Sequence, residues 1–311
     1  GMVYKLKTWR LPLAGRNARG KAMVNILPIA NGVSIAAILP VERPEEEWEN
    51  LQIVFATSGG DVRRNALSDF TNVMRNGKIA MKLPDGVTLV NARICDENDD
   101  VMLVTSSGRA IRFRSTDVRV FKGRDSTGVR GVRLGEDDSV VSMAVIRHFE
   151  TASEEREAFI RQRRLIAGVT EDDTDETDEA VEAGQLSTER YAEMSAAEDL
   201  LLTITENGLG KLTSSHDYRI TTRGGQGVGA TDKAMRGGAL VALFPVEAGD
   251  QVMLATSKGQ SIRVPVEGIR FLRRTGGGVK VFNTGAGEKV VSVARIAETG
   301  EEDAAEDGSD A

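Results

Sequence analysis

The sequence predicts an all-β fold of the propeller type, built from small four-stranded sheets. A pattern of about fifty residues recurs five times, at about 1–47, 48–95, 96–147, 200–247 and 248–296. Each copy holds an apolar strand, a tight turn ending in glycine, a strand with a basic residue, a stretch centred on Arg-x-x-x-Gly and a Val/Ile-rich strand. Periods of 40–50 residues with four strand-like segments are typical of propeller blades.

Two glycines mark each copy. The turn glycines are Gly1, Gly60, Gly108, Gly208 and Gly259. A second glycine follows 17 to 20 residues later, at Gly20, Gly77, Gly128, Gly227 and Gly278. In four copies an arginine stands four residues before it, as Arg16, Arg124, Arg223 and Arg274. Because Gly1 aligns with the later turn glycines, the first copy is truncated, and we expect residues 1–311 to be a fragment of a longer polypeptide.

Short apolar runs bounded by Gly, Asn and Asp favour strands over helices. The third copy shows them most clearly, as Val101–Thr105, Ile111–Arg114 and Val140–Ile146. The first and last runs of the other complete copies are Ile53–Thr57 and Leu89–Ile94, Leu200–Thr205 and Leu240–Val246, and Val252–Thr256 and Val290–Ile296. The truncated first copy retains Val3–Leu6 and the apolar segment Ile35–Val41.

An insertion at residues 148–199 separates the third and fourth copies. Thr151–Glu154 has the form of a capping box, which predicts a helix to about Ile166. A second helix is expected from Leu186 to about Glu198. The acidic run Glu171–Glu182 has few apolar residues and is expected to be disordered, as is the acidic tail 297–311.

The net charge of −7 conceals a basic body. The insertion carries a net charge of −11 and the tail −7, which leaves +11 on the repeats. A basic body with two acidic appendages indicates a polyanionic partner such as nucleic acid.

Basic residues recur at equivalent points of the repeats. In a propeller these points map to equivalent places, so we expect a positive belt, and phosphates accept Lys and Arg contacts without regard to base. The alternative is that each arginine only solvates an exposed strand face. The predicted phosphate contacts are Lys5, Arg16, Arg19, Lys21, Arg63, Arg64, Arg75, Lys78, Arg112, Arg124, Arg130, Lys211, Arg223, Arg263, Arg273, Arg274 and Lys280.

Other motifs do not indicate a catalytic or metal site. Gly15–Lys21 fits a phosphate-loop pattern, but Ala22 stands where Ser or Thr would bind Mg²⁺. Ser215–Asp217 holds the residue types of a catalytic triad, but triad members normally come from distant segments, and His216 is expected in a turn. His148 has no metal-ligand companion nearby in the sequence.

Composition also limits the compartment. Cys95 is the single cysteine, so no intrachain disulfide forms, and we expect it in the core. No apolar run approaches the ~20 residues of a membrane span, and no signal peptide opens the chain. A cytoplasmic location is therefore expected.

Several strings closely resemble the C-terminal domain of bacterial DNA gyrase A. They are Gly1–Lys7, Ala18–Pro28, Gly77–Leu83 and, most diagnostic, Thr127–Glu136. The resemblance runs from residue 1 to about 296, with the insertion set apart. It implies a β-pinwheel, a propeller variant whose neighbouring blades exchange strands, with duplex DNA bent round a basic rim.

The resemblance also implies what lies outside this chain. The parent protein would be an ATP-hydrolysing type II DNA topoisomerase that introduces negative supercoils, with the rest of gyrase A and with gyrase B as partners and a nucleoid location. The chain itself would hold no catalytic residue and no cofactor, with ATP and Mg²⁺ bound elsewhere in the holoenzyme. The family's Gln-Arg-Arg-Gly-Gly-Lys-Gly wrapping box is absent, and Arg223–Gly227 looks similar but falls in a later blade.

Two alternatives stay open. One is the corresponding domain of topoisomerase IV, whose repeat is more degenerate than the five well-kept copies here. The other is a propeller scaffold for protein partners, with the insertion as a docking arm. Salt-dependent binding to DNA of random sequence separates the scaffold from the DNA-binding domains.

Overall fold

The computed structural model describes residues 1–14, 20–30, 32–168, 184–231 and 237–297. These residues form two compact units. The first unit comprises Gly1–His148 with Arg219–Val228, and the second holds the rest. Arg16 and Arg19 of the predicted contacts, the acidic run Glu171–Glu182 and the tail beyond residue 297 lie outside the described residues.

Three antiparallel sheets are built on the first unit. The smallest joins β1 (Met2–Val3) to β4 (Lys78–Ile79). A four-stranded sheet has the order β5 (Leu89–Cys95), β2 (Gln52–Thr57), β3 (Asp61–Ala66) and β8 (Val129–Arg130). A second has the order β12 (Val228–Gly229), β7 (Arg109–Arg114), β6 (Asp99–Thr105) and β9 (Val140–Arg147).

The second unit adds two sheets and two helices. One sheet has the order β13 (Leu240–Val246), β10 (Leu200–Thr205), β11 (Leu209–Ser214) and β16 (Val279–Lys280). The other has the order β15 (Ser261–Pro265), β14 (Gln251–Thr256) and β17 (Val290–Ile296). The helices are α1 (Ser153–Ile166) and α2 (Thr188–Ala197), within two residues of the bounds expected from the sequence.

Each repeat donates one short strand to the sheet of the repeat before it. β4 pairs with β1, β8 with β3, and β16 with β11, all antiparallel. β12 lies beside β7 in the same way. This exchange explains why the sheets of the second, third and fourth repeats have four strands, whereas β15 has a strand on one side only among the described residues.

The glycine spacing follows from this exchange. The carbonyl of the turn glycine Gly60 accepts the N–H groups of Gly131 and Val132 at 2.8 and 3.1 Å, and Gly1 accepts two N–H groups in the same way. The second glycine Gly128 has φ +93°, and a Cβ there would lie 2.2 Å from the Val62 carbonyl oxygen. Glycine is therefore required where the exchanged strand approaches the preceding hairpin.

Apolar strand residues form the core of each unit. In the first unit Val54, Val101, Leu103 and Phe113 are fully buried. In the second unit Leu202, Leu254 and Val290 belong to an equivalent cluster. The predicted runs Ile53–Thr57, Val101–Thr105 and Leu200–Thr205 are therefore core strands, whereas Val290 is the one buried residue of Val290–Ile296.

The first repeat departs from the expected pattern. Ile35–Val41 forms no strand, and Ile38 is 76% exposed. In the later repeats this segment pairs with the strand before the turn glycine, as β9 does with β6. Among the described residues, no strand pairs with Ile35–Val41.

The start of α1 differs by one residue from the capping-box pattern. Ala152, not Thr151, is the N-cap residue, and the Glu155 carboxylate accepts the Ala152 N–H at 2.8 Å. This half of the box survives because it needs only a glutamate at the third helical position. Ser187 caps α2 by accepting the Arg190 N–H.

Candidate nucleic-acid interface

Four segments link the hairpins to the exchanged strands and hold eight of the seventeen predicted contacts. We call them the basic loops, residues 71–78, 118–130 and 219–228 of the first unit and 269–280 of the second. Three of them lie against the preceding repeat through parallel bridges, Arg64–Val120, Arg112–Ile220 and Leu212–Phe271. Segment 118–130 has Asp125 as its single carboxylate, and the other three segments have none.

Four of the predicted contacts are buried in the hairpins. Arg63, Arg64, Arg112 and Lys211 are at most 4% exposed. Arg63 donates to the Ser126 carbonyl at 2.7 Å, and Arg64 donates to the Val118 carbonyl at 2.6 Å. These side chains donate hydrogen bonds to the protein's own backbone, because a cation buried away from water needs such partners. In this structure their burial leaves them inaccessible to a phosphate.

Lys211 and Arg112 show that the buried cations have hydrogen-bond or ion-pair partners within the protein. Lys211 Nζ donates to the carbonyls of Arg273, Arg274 and Gly276, at 3.1 Å for the first and 2.7 Å for the last. Arg112 Nε pairs with the buried Asp100 carboxylate at 2.7 Å. In the second, third and fourth repeats, the basic residue of the hairpin therefore forms links to the following repeat or within the repeat itself.

The arginine of the Arg-x-x-x-Gly motif links repeats in the opposite direction. Arg223 donates to the carbonyls of Asp117 and Arg130 at 2.9 and 3.0 Å. Arg274 donates to the Gly229 carbonyl at 2.7 Å. Arg124 is half-buried, and its Nη1 has no hydrogen-bond partner among the described residues. Two of these three arginines are thus engaged by backbone oxygens.

The remaining predicted contacts form two groups, three residues that are half-buried and paired within the protein and five that are exposed. Lys5 pairs with Glu45 at 2.5 Å, and Lys78 donates to the Asp69 carbonyl at 2.7 Å. Arg273 pairs with Glu157 at 3.1 Å. Five residues are exposed, namely Lys21, Arg75, Arg130, Arg263 and Lys280.

Further exposed cations were missed by the sequence analysis. Arg119, Arg219 and Arg270 are exposed and stand one residue before the bridge residue of their loops. Each follows its turn glycine by eleven residues, a spacing that would have revealed them. Arg119 lies over the Phe121 ring at 4.2 Å, which holds its guanidinium at the surface. Lys122, also exposed, is three residues further along.

The first unit brings two basic loops together. The Gly224 N–H donates to the Gly131 carbonyl at 2.6 Å, and the Arg133 N–H donates to the Gly225 carbonyl at 2.8 Å. The exposed Arg119, Lys122 and Arg130 of one loop and the exposed Arg219 of the next are therefore carried on two chain segments whose ends are joined by backbone hydrogen bonds, at the surface of one unit. Such a surface favours an anionic ligand that spans several contacts.

The motifs that could suggest a catalytic or metal site are not arranged as one in the described ranges. His216 is buried in a short 3-10 turn, and its Nε2 lies 2.8 Å from the Met194 carbonyl, so Ser215–Asp217 does not converge as a triad. Burial raises the pKa of the Cys95 thiol to about 12, which makes it a poor nucleophile. Among the described residues, no group of three or more His, Cys, Asp or Glu could hold a metal ion.

His148 takes part in an ion network at the junction with the insertion. Its Nδ1 lies 2.8 Å from Asp100 Oδ1, and Asp100 also pairs with Arg112. Arg114 Nη2 lies 2.7 Å from His148 Nε2. These contacts account for His148 as a structural residue. No helix in the part of the chain that the structure describes is long and apolar enough to cross a membrane.

Comparisons with known proteins agree with the repeats. The family profile described as "DNA gyrase C-terminal domain, beta-propeller" matches residues 1–42, 52–96, 99–147, 199–247 and 250–297. The DNA gyrase A protein of Granulibacter bethesdensis is 44% identical over the whole chain, which covers 34% of that protein. The chain thus spans about a third of the length of the curated relatives it matches.

Two solved structures share the fold. A DNA gyrase A C-terminal domain matches with a TM-score of 0.68 at 18% identity, covering 95% of this chain and 79% of that one. A topoisomerase IV C-terminal domain matches with a TM-score of 0.65 at 20% identity, covering 89% and 71%. The exchanged strands observed here are accordingly those of a β-pinwheel.

Proposed function

The chain belongs to the family of DNA gyrase C-terminal domains, and on this premise we propose that it binds and bends duplex DNA on its basic loops. The observation that carries the proposal is that two hydrogen-bonded neighbouring loops of one unit carry four exposed cations, Arg119, Lys122, Arg130 and Arg219. A duplex presents phosphates at regular intervals, and lysine and arginine bind them without reading bases.

The predicted contacts have different roles in this proposal, according to whether they are exposed, buried or half-buried. The exposed Lys21, Arg75, Arg263 and Lys280 can reach a phosphate by side-chain motion alone, and so can the loop residues named above. Arg63, Arg64, Arg112 and Lys211 support the interface indirectly, because their hydrogen bonds hold the following loop or strand in place. Arg223 and Arg274 orient the loops through their hydrogen bonds while remaining half-buried, and Arg124 is half-buried as well.

We propose that the parent protein is DNA gyrase A. In that setting the bent duplex would be presented to the cleavage core, and ATP-driven strand passage with gyrase B would introduce negative supercoils in the bacterial cytoplasm. What supports this is the similarity to relatives about three times longer than the chain.

Bending of a random-sequence duplex tests the proposal. We expect the ends of an end-labelled duplex of about 40 base pairs to approach on binding, measured by fluorescence energy transfer, equally for two unrelated sequences. Bending by distributed phosphate contacts should weaken steeply between roughly 50 and 200 mM salt. Absence of binding at low salt would favour a protein scaffold, and dependence on one short base sequence would replace the loop surface by a local reading site.

A further inference from the structure

Helix α1 of the insertion covers part of a basic loop. Its buried residues Phe159 and Ile160 pack in one cluster with Met194 of α2, which is fully buried. The His216 ring, in the turn after β11, packs against Phe159 with 5.0 Å between ring centroids. The insertion is therefore packed onto the body of the second unit in its helical part.

Two contacts join α1 to the basic loop 269–280. Glu157 reaches Arg273 Nη2 with both carboxylate oxygens, at 3.1 and 3.3 Å. One helical turn and a half further on, the Arg163 guanidinium lies over the Phe271 ring at 5.0 Å. Glu198 holds Arg163 in this position through an ion pair of 3.1 Å.

The helical part carries little of the insertion's charge. Residues 153–166 hold three glutamates and four arginines, whereas residues 171–182 hold eight acidic residues and no basic one. Helix α1 therefore does not compete with DNA for the protein's cations through a net negative charge. Its contribution is one carboxylate placed against one arginine.

We propose that α1 masks Arg273, so that this member of the repeated basic set does not contact DNA while the helix is docked. The inference rests on the proposed function and identifies Glu157 as the residue that removes one phosphate contact. Arg273 is 20% exposed in its side chain and also lies 3.6 Å from Asp217 Oδ1, so a phosphate would have to displace the closer Glu157 carboxylate and share the guanidinium with Asp217.

Charge-matched variants of the full chain test the masking. Glu157→Gln removes the carboxylate from Arg273, and Glu154→Gln removes the same charge from an exposed site on the same helix. One added phosphate contact steepens the salt dependence by about 0.9, so the affinity gain should be about three- to fourfold larger at 50 mM than at 200 mM salt. We expect this gain for Glu157→Gln and not for Glu154→Gln.

The double variant identifies the arginine. Adding Arg273→Ala to Glu157→Gln should abolish the extra gain. A gain that persists in the double variant, or that is equal for both glutamine variants, overturns the masking. If Glu157→Gln loses its thermal unfolding transition, Glu157→Asp replaces it, because the shorter side chain breaks the contact without changing charge, and an unaltered salt slope then overturns the masking.

The two proposals fail in different ways. If the unaltered chain shows no salt-dependent binding to a random-sequence duplex, the proposed function fails and the masking falls with it. If the unaltered chain binds and bends DNA while the Glu157 and Glu154 variants behave alike, the masking alone fails.

Discussion

Basic loops 118–130 and 269–280 occupy the same place in their repeats but differ in what covers them. Lys122 and Arg273 are equivalent, each two residues after the bridge residue of its loop. Lys122 is exposed, whereas Arg273 is paired with Glu157 of the insertion and lies within 3.6 Å of Asp217. The repeat determines where a cation stands, and the carboxylates around it, of which Glu157 comes from outside the repeats, determine whether it is available.

The same comparison separates two uses of basic residues. In the hairpins, Arg63 and Lys211 are desolvated and satisfied by backbone carbonyls, so they contribute to folding. In the first-unit loops, Arg119 and Lys122 keep their hydration, so they can exchange water for phosphate. A repeated basic pattern is therefore compatible with both uses at once.

The largest effect should come from reversing the exposed cations of the first unit. With Arg119, Lys122, Arg130 and Arg219 all changed to Glu, we expect affinity for a random-sequence duplex to fall at least about 10³-fold near 0.1 M salt. Fluorescence anisotropy measures the loss, and an unchanged melting temperature shows that the fold is intact. Retained affinity would move the interface away from these loops.

The next largest effect concerns stability. Lys211→Met leaves the carbonyls of Arg273, Arg274 and Gly276 without their donor, which should lower the free energy of unfolding by about 2–4 kcal/mol. Arg263→Met, at an exposed site of β15, should change it by less than about 0.5 kcal/mol. Equal effects in denaturant unfolding would mean that the hairpin cations do not join the repeats.

Much of the fold was predictable, because strands and close approaches leave local signals. A strand was predicted at Val101–Thr105 and is observed at Asp99–Thr105. The second glycine of a repeat directly precedes the exchanged strand, as Gly128 precedes Val129–Arg130. Ile35–Val41 was not a strand because strand formation needs a partner that pattern alone does not supply.

The site was less predictable than the fold. Spacing located the basic positions, but the burial of Arg63 and Arg64 depends on a strand and a loop of the next repeat, more than fifty residues away. Arg119 was not predicted because the arginines were aligned on the second glycine of each repeat, whereas the position of Arg119 recurs at a fixed distance from the turn glycine. The Glu157–Arg273 pair spans 116 residues, and no local pattern reports such a contact.

A smaller effect is expected from the acidic tail. Residues 297–311 carry seven acidic and no basic residues, so their charge competes with phosphates for the body's cations. Truncation after Ile296 should raise DNA affinity severalfold at low salt. The gain should shrink above about 0.1 M salt, where the Debye length is shorter than about 10 Å. Titrations at 50 and 300 mM salt measure it, and unchanged affinity in a folded truncation would show the tail to be a spacer.

The most direct test of the difference between the loops uses the equivalent pair Lys122→Ala and Arg273→Ala. The slope of log affinity against log salt is measured for each variant and for the unaltered chain with one random-sequence duplex. We predict that Lys122→Ala makes the slope shallower by about 0.9, the value of one phosphate contact, and that Arg273→Ala leaves it unchanged. Equal losses in the two variants, or a loss confined to Arg273→Ala, would contradict the assignment of DNA contacts by exposure in the loops.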